Sequence, residues 1–477
     1  AADPERERRD LHPAGRVVMR SCLLRAALLV ACSVTGAAAQ AGAKRPCVLE
    51  FTGVVRQGVL TTSMRVTTMA DGAKHTFISG GVDATCRGQG NRLLADSAEH
   101  YGDRKELILI SKVRYTDERM RLDADRMVYF LETERLVATG SVKGTSAGGA
   151  RFTGPELTYL RSRPGVRSVT SWRAPGRPTV RLATARTDEV QAKRLAASPA
   201  DSMDVTADVV WSENDSLVWA RGRVVMDRHD LQATADSAFL DQGTEHVRLR
   251  RSPRIVGTGE RAFIMVGREI DLWSRTQALE RVLATGEARV DGDSVVLRSD
   301  TVDVRIVDEQ MDRVMAWGTR AFAEAQRQQM EADSIEMRLP KQVLEQVQAF
   351  GRAMTRGEVD TARITSPDPD WIAGDTVIAR FETAPRSPTD TTSTTRLTEV
   401  QAVGSARAFQ QLASAEGGKD RPNLSYNRGR VIVVRFEAGE VVRVDVQDRA
   451  SGLYLEPVSA PPAPTTSTVP GTGRRVP

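Results

Sequence analysis

Aspartate is the residue type whose recurrence first suggests chemistry in this 477-residue chain. It follows a small residue in RLLADSA (Asp96), RLDADRM (Asp125), DVTADVV (Asp208), LQATADSAF (Asp236), VLRSDTV (Asp300), MEADSIE (Asp333) and WIAGDTV (Asp375). Gathered at one point, such carboxylates could hold a hard cation through oxygen ligands or act as general acid and base. Asp-Ser-Ala at 96–98 and 236–238 likewise invites a serine nucleophile. Repetition argues against both readings. A nucleophile is needed once, and neither serine sits in a Gly-x-Ser-x-Gly elbow. A spacing of roughly thirty residues puts the aspartates on successive strands, where they read as turn-capping or solvated ladder positions. No catalytic residue is therefore assigned.

A second signature alternates with the first. Ala-x-Gly occurs at Gly140, Gly222, Gly286, Gly318, Gly351 and Gly404, in ATGSV, ARGRV, ATGEA, AWGTR, AFGRA and AVGSA. Fourteen residues separate Gly222 from Asp236 and Gly286 from Asp300, and fifteen separate Gly318 from Asp333. Self-similarity of this kind marks a repeat architecture. Strand and not helix follows each glycine, so these are not phosphate loops; they read as close strand packing or a bulge at a bend.

The elements that carry these signatures are strands. Val282, Ala284, Gly286, Ala288 and Val290 alternate with Leu283, Thr285, Glu287 and Arg289, the period of a half-buried antiparallel strand. The stretches 320–337 and 341–354 have helix-forming composition, yet Asp333 and Gly351 fall in register with the repeat, which assigns both to strand. The fold class expected is all-β, an elongated antiparallel jelly roll or meander built from repeated strand pairs.

Composition narrows the function. Hydrophobic residues make up 40% of the chain, aromatic residues 5% and charged residues 27%, with both signs interspersed. The net charge of +5 comes with no basic patch interleaved with aromatics, so no nucleic-acid partner is implied. His12, His75, His100, His229 and His246 are scattered without metal-ligand spacing, so neither a metal nor another cofactor is expected. The six tryptophans read as core or groove-edge residues.

Residues 19–43, MRSCLLRAALLVACSVTGAAAQAGA, have the layout of a secretory signal: arginines, a short apolar run, then small residues. Residues 1–18 ahead of it read as an over-extended start. Ala37-Ala38-Ala39 offers a cleavage site, while Leu29-Val30-Ala31-Cys32 fits a lipoprotein box in which Cys32 would be lipidated. Either route exports the chain.

The inward positions are small or aliphatic. Leu122, Ala124, Val205, Ala207, Ala233 and Ala235 are read as lining a lipid groove, together with Ile270, Leu272, Val282, Ala284 and Leu297. Facing sheets lined this way would leave a narrow apolar trough, and each acyl CH₂ buried in it would contribute about 0.8 kcal/mol. The mature chain divides into a first β-module at 44–186, a linker at 187–202 and a second module at 203–458. The stretch 141–202 is irregular and rich in proline, with strands surviving at 156–160 and 178–183, while 383–395 is a polar insertion and 459–477 is a disordered tail.

The repeated segments LLADSAEHY, LQATADSAFLD, LERVLATGEARV, VMAWGTRAFAEA and LTEVQAVGSARAF resemble the OstA/LptA family of lipopolysaccharide-transport proteins over most of 93–455. The resemblance implies a V-shaped β-channel, here as two stacked modules. It also implies a periplasmic protein, peripheral to membranes, with a non-enzymatic role in shielding lipid A acyl chains between the inner and outer membranes. The partners implied are lipopolysaccharide or a related amphiphile, and other transport proteins joined by pairing of edge strands. Long segments of the kind that make an aromatic-girdled outer-membrane barrel are missing from the sequence. The rival reading is a structural β-solenoid with a filled core and protein partners only.

Removing the signal leaves Cys47 and Cys86 as the cysteines of the mature chain. In an oxidising compartment two such residues form a disulfide rather than a metal site. A digest mapped without reductant should contain the Cys47–Cys86 linked peptide, and two free thiols there would refute the pairing.

Overall fold

The computed structural model describes residues 47–457, apart from 164, 184–201, 258–262, 276–277, 293–294, 309, 326–327, 358–365, 367, 388–389 and 413–420. The signal-like segment with Cys32, most of the 187–202 linker and the 459–477 tail lie outside the described residues. The fold is all-β. Thirty strand segments among the described residues join into one antiparallel sheet, with a separate hairpin formed by Val55–Arg56 and Val59–Leu60. The two stretches of helix-forming composition are strands, Gln310–Ala325 with Gln328–Arg338 and Gln346–Gly357, joined by a single 3-10 turn at Pro340–Gln342.

What shapes the sheet is a crease that nearly every strand crosses. Long strands slip register there, between Asp123 and Arg126, Arg221 and Val224, Arg298 and Thr301, and Phe350 and Ala353. Other strands are cut in two at the same line, as Ser202–Thr206 and Val209–Glu213 are on either side of Asp208. The halves on one side pair among themselves to make a first leaf, and those on the other side make a second. Thus Leu217–Arg228 pairs through Val225 to Asp227 with Ser202–Thr206 in the first leaf, and through Leu217 to Arg221 with Val209–Glu213 in the second. Six segments around 151–228 close a hydrogen-bonded circuit in this way. It is the two sides of one crease rejoining long strands.

The two sequence signatures meet at this line. Gly351 and Arg352 have φ of 74° and 49°, supplying the extra, left-handed residues of a bulge that redirects the strand. The neighbouring strand presents an aspartate to that bulge. Ser141 N donates to Asp125 Oδ2 at 2.8 Å, and Thr319 donates to Asp300 through N at 2.6 Å and Oγ1 at 2.7 Å. Arg223 Nε and Arg352 Nε each donate at 3.0 Å to Asp208 and Asp333. Asp96 accepts from Ser111 Oγ, and Asp236 faces Arg251. The Thr319 hydroxyl and backbone hold the Asp300 carboxyl below the ordinary aspartate range, as the Arg223 guanidinium does for Asp208. Each Ala-x-Gly glycine other than Gly286 therefore answers the aspartate that precedes it in the chain, and at Gly286 the neighbour is Arg268.

Two expectations about organisation change. The described part of the proline-rich stretch is mostly sheet: the strands expected at 156–160 and 178–183 are found in Arg151–Leu160 and Thr179–Ala183, and Arg135–Ser146 and Ser171–Pro175 add to them. Its described prolines sit at or beside interruptions of the ladder. Pro155 lies in the register slip between Gly154 and Glu156, and Pro175 and Pro178 flank the crease at Gly176-Arg177, so no pairing N–H is lost there. The expected module boundary is not a break either. Thr179–Ala183 pairs with Ser202–Thr206 in continuous register, and the chain from Lys44 on forms one compact unit. Tertiary pairing overrides a loop-like composition. The polar insertion at 383–395 extends a hairpin arm, with pairing out to Ser387 and Asp390.

A Cβ placed on Gly351 would strike the Asp333 carboxylate, whereas one on Gly439, at φ 85°, would meet nothing within 4 Å. Both alanine substitutions cost about 1–2 kcal/mol for the left-handed backbone. Only Gly351→Ala adds a steric cost of about 1–3 kcal/mol. Its urea midpoint should fall clearly further than that of Gly439→Ala, and equal shifts would mean that the carboxylate yields freely.

Candidate functional site: the apolar interior and its seam

The inner faces of the two leaves press together into one core. Leu122, Ala124, Val205, Ala207, Ala233, Ala235 and Leu297 come from the first leaf, and Ile270, Leu272, Val282 and Ala284 from the second. All eleven belong to the same cluster, and none is more than 9% exposed. The predicted groove residues thus share one interior, and that interior is closed.

Side-chain size follows position across the wedge between the leaves. The alanines of Ala-x-Gly, at 138, 220, 284, 316, 349 and 402, flank the crease and are 0–1% exposed. Toward the margins the inward residues grow, to Met203, Met226, Leu231, Leu240, Leu272 and Leu279. Near the crease the opposed backbones leave space for little more than a methyl group. The small residues nearest the crease, Ala235 among them, are thus set by the fold's geometry, whereas Ala233 lines the cavity at the seam.

The margins opposite the crease form a seam, and empty volume lies there. A cavity of about 80 Å³ opens between Met203, Met226 and Leu231 of the first leaf and Leu240, Leu272 and Leu279 of the second. Arg228, Glu245 and His246 are among its polar lining residues. It is smaller than an apolar cavity of about 150 Å³ that admits benzene. A second cavity, about 30 Å³, lies along the same seam between Met330 and Thr355 on one side and Met337, Phe381 and Leu397 on the other. Holding a long acyl chain would require the leaves to part.

At the amino-terminal end, aromatic rings bridge the leaves. Phe152 stacks on Trp172 at 5.4 Å between centroids, and Tyr115 lies 5.9 Å from Tyr159. Both tyrosine hydroxyls donate to Asp117 Oδ2, at 2.8 and 3.0 Å. Burial, then the Asp117 charge, raises both phenol pKa values, which keeps the hydroxyls protonated as donors. Cys47 and Cys86 are joined in a disulfide with Cα atoms 5.0 Å apart, tying the chain ahead of Leu49–Thr52 to the strand that segment pairs with. Trp211 and Trp219 lie in a row with Phe239 on the outer face of the second leaf, at centroid distances of 6.0 and 5.4 Å.

The sheet ends in open edges. Ser63–Thr68 is exposed along its whole length, as is Ser451–Leu455, where Leu453, Tyr454 and Leu455 are each about half exposed. The crease aspartates stay one to a strand, and no group of three or more His, Cys, Asp or Glu side chains suited to a metal gathers among the described residues.

Leu replacing Ala adds three carbons, and the wedge should accept them at one position and refuse them at another. Ala233→Leu, beside the larger cavity, should unfold near the wild-type midpoint. Ala284→Leu, against the crease, should lose about 1–3 kcal/mol from overpacking. Equal losses in urea titrations would contradict the gradient. In comparison with known proteins, the chain matches no family model and no curated protein.

Proposed function

We propose that this chain is an exported, non-enzymatic carrier that shields the acyl chains of lipopolysaccharide, or a related amphiphile, as they cross the periplasm between inner and outer membranes. The observation that carries this reading is the apolar inner face. Among the described residues it forms one buried cluster shared from strand to strand, with cavities along the seam. A carrier needs an interior that is apolar along its length and can be entered from the side. The seam suits this, because its leaves are held by side-chain packing and could separate without breaking the backbone ladder. The open edges at Ser63–Thr68 and Ser451–Leu455 suit strand addition by neighbouring transport proteins, which would extend the interior from one protein into the next.

The close burial of the groove residues favours a second reading, a scaffold whose core is permanently filled and whose partners are proteins. Lipid extraction separates the two. Protein purified from its native compartment without detergent should release a lipid under the carrier reading and none under the scaffold reading. Photocrosslinkers at Leu272 and Leu297 should capture lipopolysaccharide, and capture at outward Arg248 alone would sink the carrier reading.

A further inference from the structure

The seam differs along its length, and that difference gives the carrier a direction. Three successive turns of the first leaf are fastened to the second. At the 87–91 turn, Gln89 O accepts from Arg161 Nη2 at 2.7 Å, and Gln89 Nε2 reaches Glu134 at 3.4 Å. At the next turn, Asp117 is satisfied on both oxygens. Oδ1 takes the backbone N–H groups of Arg119 and Met120 at 2.8 and 2.7 Å, and Oδ2 takes the hydroxyls of Tyr115 and Tyr159. Tyr115 lies on the first leaf and Tyr159 on the second, so one carboxylate that is 2% exposed joins them. At the same place Arg119 Nη1 meets Asp215 Oδ2 at 3.4 Å, with the Asp215 side chain only 7% exposed. At the third turn, Ala147 N donates to Arg119 O of the neighbouring first-leaf turn at 2.7 Å, and Gly148 packs across the seam so closely on Asp215 that a Cβ there would lie 2.7 Å from its carbonyl oxygen.

The larger cavity starts where this fastening stops, since Gly148 is also part of its lining. Beyond it the seam is lined by Met203, Met226, Leu240 and Leu279, then farther on by Met330 and Leu397. A charged acceptor with four donors in a nearly dry site is costly to expose, whereas an apolar seam can open onto a lipid that replaces the contacts it loses.

We infer that the amino-terminal third is a fastened stop, and that an acyl chain enters the wedge sideways through the seam from the Met203–Leu279 cavity onward, never passing between the leaves at Leu122 or Leu157. This rests on the carrier reading for its cargo, but the fastening stands on its own contacts. The test is a purified full-length mature chain exposed to a diazirine-bearing C16 fatty acid, with photolabelled peptides mapped by mass spectrometry and amide hydrogen exchange followed in parallel. Label should fall on peptides spanning Met203 to Leu279, and the 115–122 and 157–161 peptides should exchange slowly with or without the probe. Label around Leu122 or Leu157 as strong as around Leu272 would overturn the inference, as would rapid exchange at the 117–120 turn.

Asp117→Asn should speed exchange at that turn about tenfold or more, the scale of losing hydrogen bonds to a charged acceptor, and should let label spread to Leu122. The milder Arg119→Glu should loosen the same turn, with Asp215→Arg restoring slow exchange in the double variant; unchanged exchange in Asp117→Asn and Arg119→Glu would refute the fastening. Absence of label everywhere would defeat the carrier reading and the entry route together, leaving the fastening to be judged by exchange alone.

Discussion

The contact on which the rest depends is small: an aspartate carboxylate of one strand held against the bulge of the next. A long antiparallel ladder left to itself twists smoothly and closes on nothing. Here one or two residues of positive φ per bulged strand bend the ladder, and the aspartate accepts hydrogen bonds that the bend would leave unmade, as at Ser141 and Thr319. Because the contact recurs on successive strand pairs, the bends line up and the sheet folds into two facing leaves. Each rung is exposed and individually modest, so the crease owes its definition to repetition. No single bond dominates it.

Folding a sheet along a line makes a wedge, and a wedge imposes its own composition. Alanine belongs at the acute edge and leucine or methionine toward the margins, as Ala220 and Met226 show on one strand. The outer faces carry cross-strand pairs that hold neighbouring strands in register. Arg281 with Asp303 at 2.9 Å and Arg181 with Asp204 at 2.7 Å are examples, along with the Trp211–Trp219–Phe239 row. The inner faces need no such pairs, because burial aligns them. Stability and any capacity to take up an amphiphile therefore draw on the same surface. The leaves can part only where packing alone joins them.

That condition is not met everywhere. Near the amino terminus Asp117, Arg161 and their tyrosine partners close the seam with buried polar contacts, and the Cys47–Cys86 disulfide secures the chain beside the first strand pair. Toward the carboxy terminus the last strand segments expose Val442, Leu453 and Leu455 at an open edge. The seam is fastened near the amino terminus and closed by packing alone farther on, while both terminal edges present a strand with unused pairing capacity. The chain is thus polar along its sheet in a physical sense.

The amino-acid sequence by itself determined the strand repeat, the all-β class and the inward set from Leu122 to Leu297, because alternation and the phase of Asp and Ala-x-Gly are local properties of a strand. It also overruled helix-forming composition at 320–354 for the same reason. It could not show that five of the six Ala-x-Gly glycines answer the aspartate before them, since cross-strand partners depend on the pairing order. Nor could it tell that Pro155, Pro175 and Pro178 lie where the ladder is already broken, so a continuous sheet looked like an irregular linker. Only the tertiary structure decided that the alanines fill an acute angle instead of leaving a trough open. The meeting of Asp117, Tyr159, Arg161 and Asp215 was equally out of reach, since it joins turns of two leaves that become neighbours only once the crease has folded.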